Sequence, residues 1–112
     1  MSGLFFADAD MRLDTIEASK VSRKIKAFGE KTMMVEVYFE KGAIGTPHEH
    51  PHEQLSYCLQ GSFDFDVGTL KYRLEAGDSI LIPSGSIHGV LCRDKGRLLD
   101  VFSPPREDFL SR

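Results

Sequence analysis

The chain has 112 residues, 41% of them hydrophobic and 28% charged, which excludes a disordered polymer and is enough for one core. Fourteen Lys and Arg against seventeen Asp and Glu give a formal charge of −3, so nucleic acid is not an expected partner. No apolar stretch approaches the ~20 residues of a membrane span, and the Leu4–Ala7 cluster is too short for a secretory signal. Two cysteines, Cys58 and Cys92, make no disulfide framework and suit a reducing cytoplasm.

In chain order, a short helix is expected near Ala9–Ala18, then a strand at Lys20–Phe28. Thr32–Glu40 puts Met33, Val35, Val37 and Phe39 on one face and Glu36 and Glu40 on the other. Further strand candidates are Gln54–Gln60, Ser62–Val67, Leu70–Glu75, Ser79–Ile82, Ile87–Cys92 and Leu98–Ser103. The period of two in Phe63, Phe65, Val67 and in Leu70, Tyr72, Leu74 reads as half-buried antiparallel strands. Turns punctuate them at Lys41-Gly42, Gly61, Gly68-Thr69, Gly77-Asp78, Pro83-Ser84-Gly85 and Lys95-Gly96. Many short strands at this spacing predict an all-β sandwich or small barrel, of more than eight strands. The tail from Ser103 onward is non-strand, because Pro104 and Pro105 remove ladder donors.

Three of the four histidines fall in Pro47-His48-Glu49-His50-Pro51-His52-Glu53-Gln54. On a strand, His48 and His50 point the same way and can aim two imidazoles at one divalent metal. The wider frame is more specific. Gly42, His48, His50, Gln54 and Gly61 match G-x5-H-x-H-x3-E-x6-G except for Gln in place of Glu, and Gly77, Pro83, Gly85 and His88 match G-x5-P-x-G-x2-H. Cys92 stands where Asn is frequent. These are the two cupin motifs, and the chain resembles that superfamily. The resemblance implies one cupin domain over residues 1–112, with a double-stranded β-helix at about 21–103 and a tail at 104–112. It also implies one divalent transition metal (Zn, Ni, Fe or Mn) held by His48, His50, Gln54 and His88. A one-residue register change would make Glu53 the ligand instead of Gln54. An amide cancels no metal charge, so the Gln54 site would be a stronger Lewis acid and favour an anionic substrate. His52 lies outside the motif and reads as an exposed loop residue. Cys58 and Cys92 read as buried small hydrophobes or soft ligands, and Phe63 and Phe65 as core.

Leu98-Leu99-Asp100-Val101-Phe102 holds a carboxylate in an apolar strand, either outward and solvated or inward with a partner or a task. Asp100 and Phe102 share a face. With Phe39-Glu40-Lys41-Gly42, His50-Pro51-His52-Glu53-Gln54 and the closing Asp-Val-Phe-Ser-Pro-x-Arg-x-Asp-Phe-Leu of residues 100–110, the chain from about Val21 resembles the KdgF family of uronate-metabolising cupins. That resemblance implies conversion of 4,5-unsaturated monouronates, released by pectate and alginate lyases, to linear 5-keto-4-deoxyuronates. It carries Asp100, Phe102 and Arg106 over as residues acting on a small anionic sugar acid. Other readings are a metal-dependent cupin dioxygenase and a non-catalytic sugar-binding barrel. An outward face of Leu55, Tyr57 and Leu59 predicts a homodimer. Residues 1–20 carry no motif.

Overall fold

The computed structural model describes residues 3–110. Its strands are β1 (Leu13–Ile16), β2 (Val21–Phe28), β3 (Met33–Phe39), β4 (Ile44–His48), β5 (Glu53–Val67), β6 (Leu70–Glu75), β7 (Ser79–Ile82) and β8 (His88–Ser103), followed by one helical turn, α1 (Glu107–Leu110). They form one antiparallel sheet of eight strands in the order β1-β2-β3-β8-β5-β6, with β4 added to β8 and β7 to β5.

The two longest strands explain the architecture. Gln54 and Val67 sit near opposite ends of β5, and at ~3.3 Å per residue a straight strand would part them by ~43 Å. Yet Gln54 touches His50, Val67 pairs with His88, and the His50 and His88 rings are 4.8 Å apart. The strand pair must therefore bend in the middle. The bend lies where the β5–β8 register shifts between Cys58 and Phe63. Gly61 has φ +87° there, and a Cβ on Gly96 would stand 2.0 Å from the Gln60 carbonyl oxygen, so neither position accepts a side chain. The first half of β5 and the second half of β8 pair with β3 and β7, while the other halves pair with β4 and β6. The result is an all-β jelly-roll barrel whose strand ends gather at one mouth.

Among the described residues eight strands stand where more than eight are expected: 54–60 and 62–67 are halves of β5 and the last two candidates are halves of β8, which leaves six, and β1 and β4 add two. The helix expected near Ala9–Ala18 is replaced by β1 between two short 3-10 turns. Pairing with β2, Leu13 to Lys24 through Ile16 to Val21, satisfies the backbone groups of the segment.

Alternation fills the interior. Phe39, Cys58, Phe63, Phe65, Leu74, Ile82, Cys92 and Leu98 form one apolar cluster, and Met33, Val35, Phe102 and Phe109 a second. Phe109 on α1 brings the tail into that second cluster. Among the described residues, no helix is long and apolar enough to cross a membrane.

Candidate active site and metal centre

His48 ends β4 and His88 begins β8, and the two are cross-strand partners with rings 4.4 Å apart. His50 is not on the strand with His48, as parity suggests, because β4 stops at His48 and Pro51 follows. Its loop is held instead from across the mouth: the Gly85 N–H donates to the His50 carbonyl at 2.9 Å, and the Ser84 hydroxyl donates to that of Pro51. The His50 ring is thereby 5.4 Å from that of His48. Candidate ligand atoms of the three imidazoles lie within 4.8 Å of one another, hence all within ~2.8 Å of a common point, close to the ~2.0–2.1 Å of a metal–nitrogen bond.

The hydrogen bonds set their chemistry. His48 Nδ1 meets the Thr46 carbonyl at 2.9 Å, and His88 Nδ1 meets that of Ser86 at 3.0 Å. A carbonyl only accepts, so both Nδ1 atoms donate, and Nε2 is left as the ligand atom of each ring. Burial pushes His50 down to about 4, helped by the charges of Arg106, His88 and His48, and burial also lowers His88. These two rings are neutral near pH 7, the form in which imidazole binds metal.

Gln54 is buried and Glu53 exposed, so the register turns the amide inward. Gln54 Oε1 stands 3.2 Å from His50 Nε2, while its Nε2 donates to Ser56 Oγ at 2.9 Å. Ser56 in turn donates its one proton to Asp100 Oδ1 at 2.7 Å. The relay fixes which end of the amide faces the histidines. His50 Nδ1 is buried without a hydrogen-bond partner. Three imidazoles around a common point, with an amide oxygen 3.2 Å from one of them, fit a borderline divalent transition metal.

Asp100 faces inward with Leu98 and Phe102, which excludes the outward, solvated alternative. Burial raises its carboxyl to about 6 against the opposing pull of Ser56, Arg106 and Gln54. The Arg106 carbon lies 4.3 Å from the Phe109 ring centroid and 5.2 Å from that of Phe102, and Nε and Nη2 donate to the two Asp108 oxygens at 3.0 and 2.9 Å. A cavity of about 330 Å³ opens between the two apolar clusters, lined by His48, Gln54, His88, Asp100, Phe102 and Arg106. That is small-molecule size.

His52 is half-buried rather than an exposed loop residue, because its Nε2 donates to the Pro105 carbonyl at 3.2 Å and ties the loop to the tail. Cys58 and Cys92 are fully buried in the first apolar cluster, as are Phe63 and Phe65. Two residues on the inner face escape the motif reading. Ser56 shares the parity of Gln54, and Arg23 lies between Val21 and Ile25 on the inner face of β2, also lining the cavity. An arginine in an apolar alternation is the sequence signal that identifies the second.

A jelly roll with three imidazoles converging at its mouth defines the cupin class, and residues 35–102 match the Cupin domain family. The chain is 44% identical over 92 residues, 80% of its own length and 84% of the other, to the pectin degradation protein KdgF of Dickeya dadantii (strain 3937), and it belongs to that family of cupins. The solved structure of KdgF from Halomonas sp. superposes with a TM-score of 0.86 at 36% identity, covering 96% of this chain and 99% of that one. An RmlC-like cupin from Shewanella frigidimarina superposes at 0.88 with 37% identity, covering 94% of each.

Proposed function

We propose that this protein acts in pectin or alginate breakdown as an isomerase of 4,5-unsaturated monouronates, opening the ring and giving the linear 5-keto-4-deoxyuronate. The pectin role of the Dickeya relative supports the pathway. The observation that carries the reaction is the meeting in one cavity of a buried carboxyl, an arginine and two imidazoles of the cluster, His48 and His88.

His48, His50, Gln54 and His88 would hold a divalent transition metal. Bound there, it would act as a Lewis acid that stabilises negative charge developing on a sugar oxygen. Arg106 grips the substrate carboxylate, and Phe102 packs on the ring and keeps water out. Asp100 takes the proton from the anomeric hydroxyl as the bond from C1 to the ring oxygen breaks, leaving an aldehyde at C1 and an enolate at C5. The same carboxyl delivers that proton to C4 as the enolate collapses, so C5 becomes a ketone and no atom is gained or lost. Mixing purified protein with freshly made unsaturated monouronate tests this: absorbance of the conjugated double bond should decay faster than in a protein-free control. Equal decay rates defeat the reading, and oxygen uptake would favour a dioxygenase. Arg106→Ala should mainly raise KM.

The chain acts as one domain in a reducing cytoplasm, where Cys58 and Cys92 stay free thiols. A second copy covers the outer face of β5 and its neighbours, where Leu55, Tyr57, Leu59 and Leu81 are exposed side by side. Light scattering should give twice the chain mass, and 12.6 kDa would refute the pairing.

A further inference from the structure

We propose that Arg23 is a second carboxylate-gripping residue of this cavity and, with Arg106, selects acidic over neutral sugars. The inference deepens the uronate reading and rests on it for the identity of the substrate. Three observations carry it. Val21 and Ile25 pack on the two apolar clusters, so Arg23 between them turns its side chain into the barrel. It lines the same cavity as His48, Asp100 and Arg106. Its guanidinium carbon lies 3.8 Å from the Phe109 ring centroid, and that of Arg106 lies 4.3 Å from the same centroid.

The two guanidinium carbons are therefore no more than ~8 Å apart, close enough for one carboxylate in the cavity beside the Phe109 ring to interact with both. Arg106 already gives Nε and Nη2 to Asp108, so only its remaining edge is offered to a ligand. Arg23, itself close enough to Asp108 to lower that carboxyl, brings a second planar guanidinium to the same wall. Phe109 presents an aromatic surface to both, which holds the forks in place before substrate arrives. Asp108 compensates one of these two positive charges, so a carboxylate entering there gains from the other and a neutral hydroxymethyl group does not.

The test uses Arg23→Met, which keeps length and suits apolar neighbours, and Arg23→Lys, which keeps charge but loses the fork. Binding of D-galacturonate and of D-galactose is measured by calorimetry on wild type and both variants, together with metal content and thermal melting. Wild type should prefer galacturonate. Arg23→Met should weaken galacturonate binding roughly 10- to 100-fold, with metal content unchanged and galactose binding unaffected. Arg23→Lys should fall between the two, and it decides alone if the Met variant does not fold. Wild-type galacturonate affinity in the folded variants overturns the proposal, as does a wild type that binds both sugars equally. Turnover of unsaturated monouronate is assayed separately. A protein that binds galacturonate through Arg23 but does not speed that conversion would defeat the isomerase reading and leave the selectivity of Arg23 standing.

Discussion

The mouth and the bent end of this barrel are built from the same two strands, yet their interiors differ. At the mouth, β5 turns Gln54 and Ser56 inward and β8 turns His88, Asp100 and Phe102 inward. Around the bend the same strands present Cys58, Phe63, Cys92 and Leu98, all at most 2% exposed. Alternation decides which residues face inward. The inward residues that carry the site chemistry lie at the mouth, and most of those around the bend are apolar. Buried polar groups are tolerated only where hydrogen-bonded, and the Gln54–Ser56–Asp100 relay supplies those bonds at the mouth.

Substitutions at the two ends should therefore fail in different ways. The largest effect is expected from His88→Ala or His50→Ala, which should empty the metal site and abolish turnover while the barrel still folds. Metal analysis beside circular dichroism checks this, and a variant with full metal content breaks the distinction. Asp100→Asn follows, with kcat lower by roughly 10²–10⁴ and metal retained, the usual contribution of a positioned acid or base. If Asp100 only orients Gln54 through Ser56, metal is lost first and added metal restores the rate. At the bend, Phe63→Ala should cost about 3–5 kcal/mol of stability, read by urea denaturation, with turnover per folded molecule unchanged.

Ser56→Ala probes the relay between them. It leaves the Gln54 amide and Asp100 without their shared hydroxyl, and metal affinity should fall about 10- to 100-fold, as for other residues that orient ligands. Unchanged affinity would show that the amide needs no such support. The smallest effect lies outside both ends, on the outer wall, where Asp64 is hydrogen-bonded by Arg73 and Arg93. Arg73 above all holds that carboxyl below its usual 3.8. Its contribution is thus complete above the unfolded value and disappears as pH falls through the lower folded value. Asp64→Asn should cost less than about 1 kcal/mol at pH 7, with the difference vanishing in strong acid and turnover untouched.

Much of this was readable from the chain. Period-two alternation located β3 and β6, the shorter candidates between turn signals fell on β2 and β7 within a residue or two, and motif spacing singled out His48, His50, Gln54 and His88 across forty positions. The continuity of β5 and β8 was hidden, because Gly61 and Gly96 look like turn residues and act as a strand crossing. β1 was missed because an edge strand with one hydrogen-bonded neighbour needs little alternation. Arg23 and Ser56 lie outside the motifs, and only the barrel's closure brings Arg23 to the cavity and Ser56 between Gln54 and Asp100. His52 could not be placed from sequence, since its partner, the Pro105 carbonyl, is 53 positions away.

The glycine crossing has a further consequence. Because β5 and β8 run unbroken from the mouth through the bend and back, neither end can melt while the other stays ordered. A ligand seated among the histidines therefore adds RT ln(1 + [L]/Kd) to the whole barrel, about 2.7 kcal/mol at a hundredfold excess over Kd. The unfolding temperature of the intact protein becomes a thermometer of site occupancy, and titrating metal into a melting experiment should rank candidate ions without any substrate.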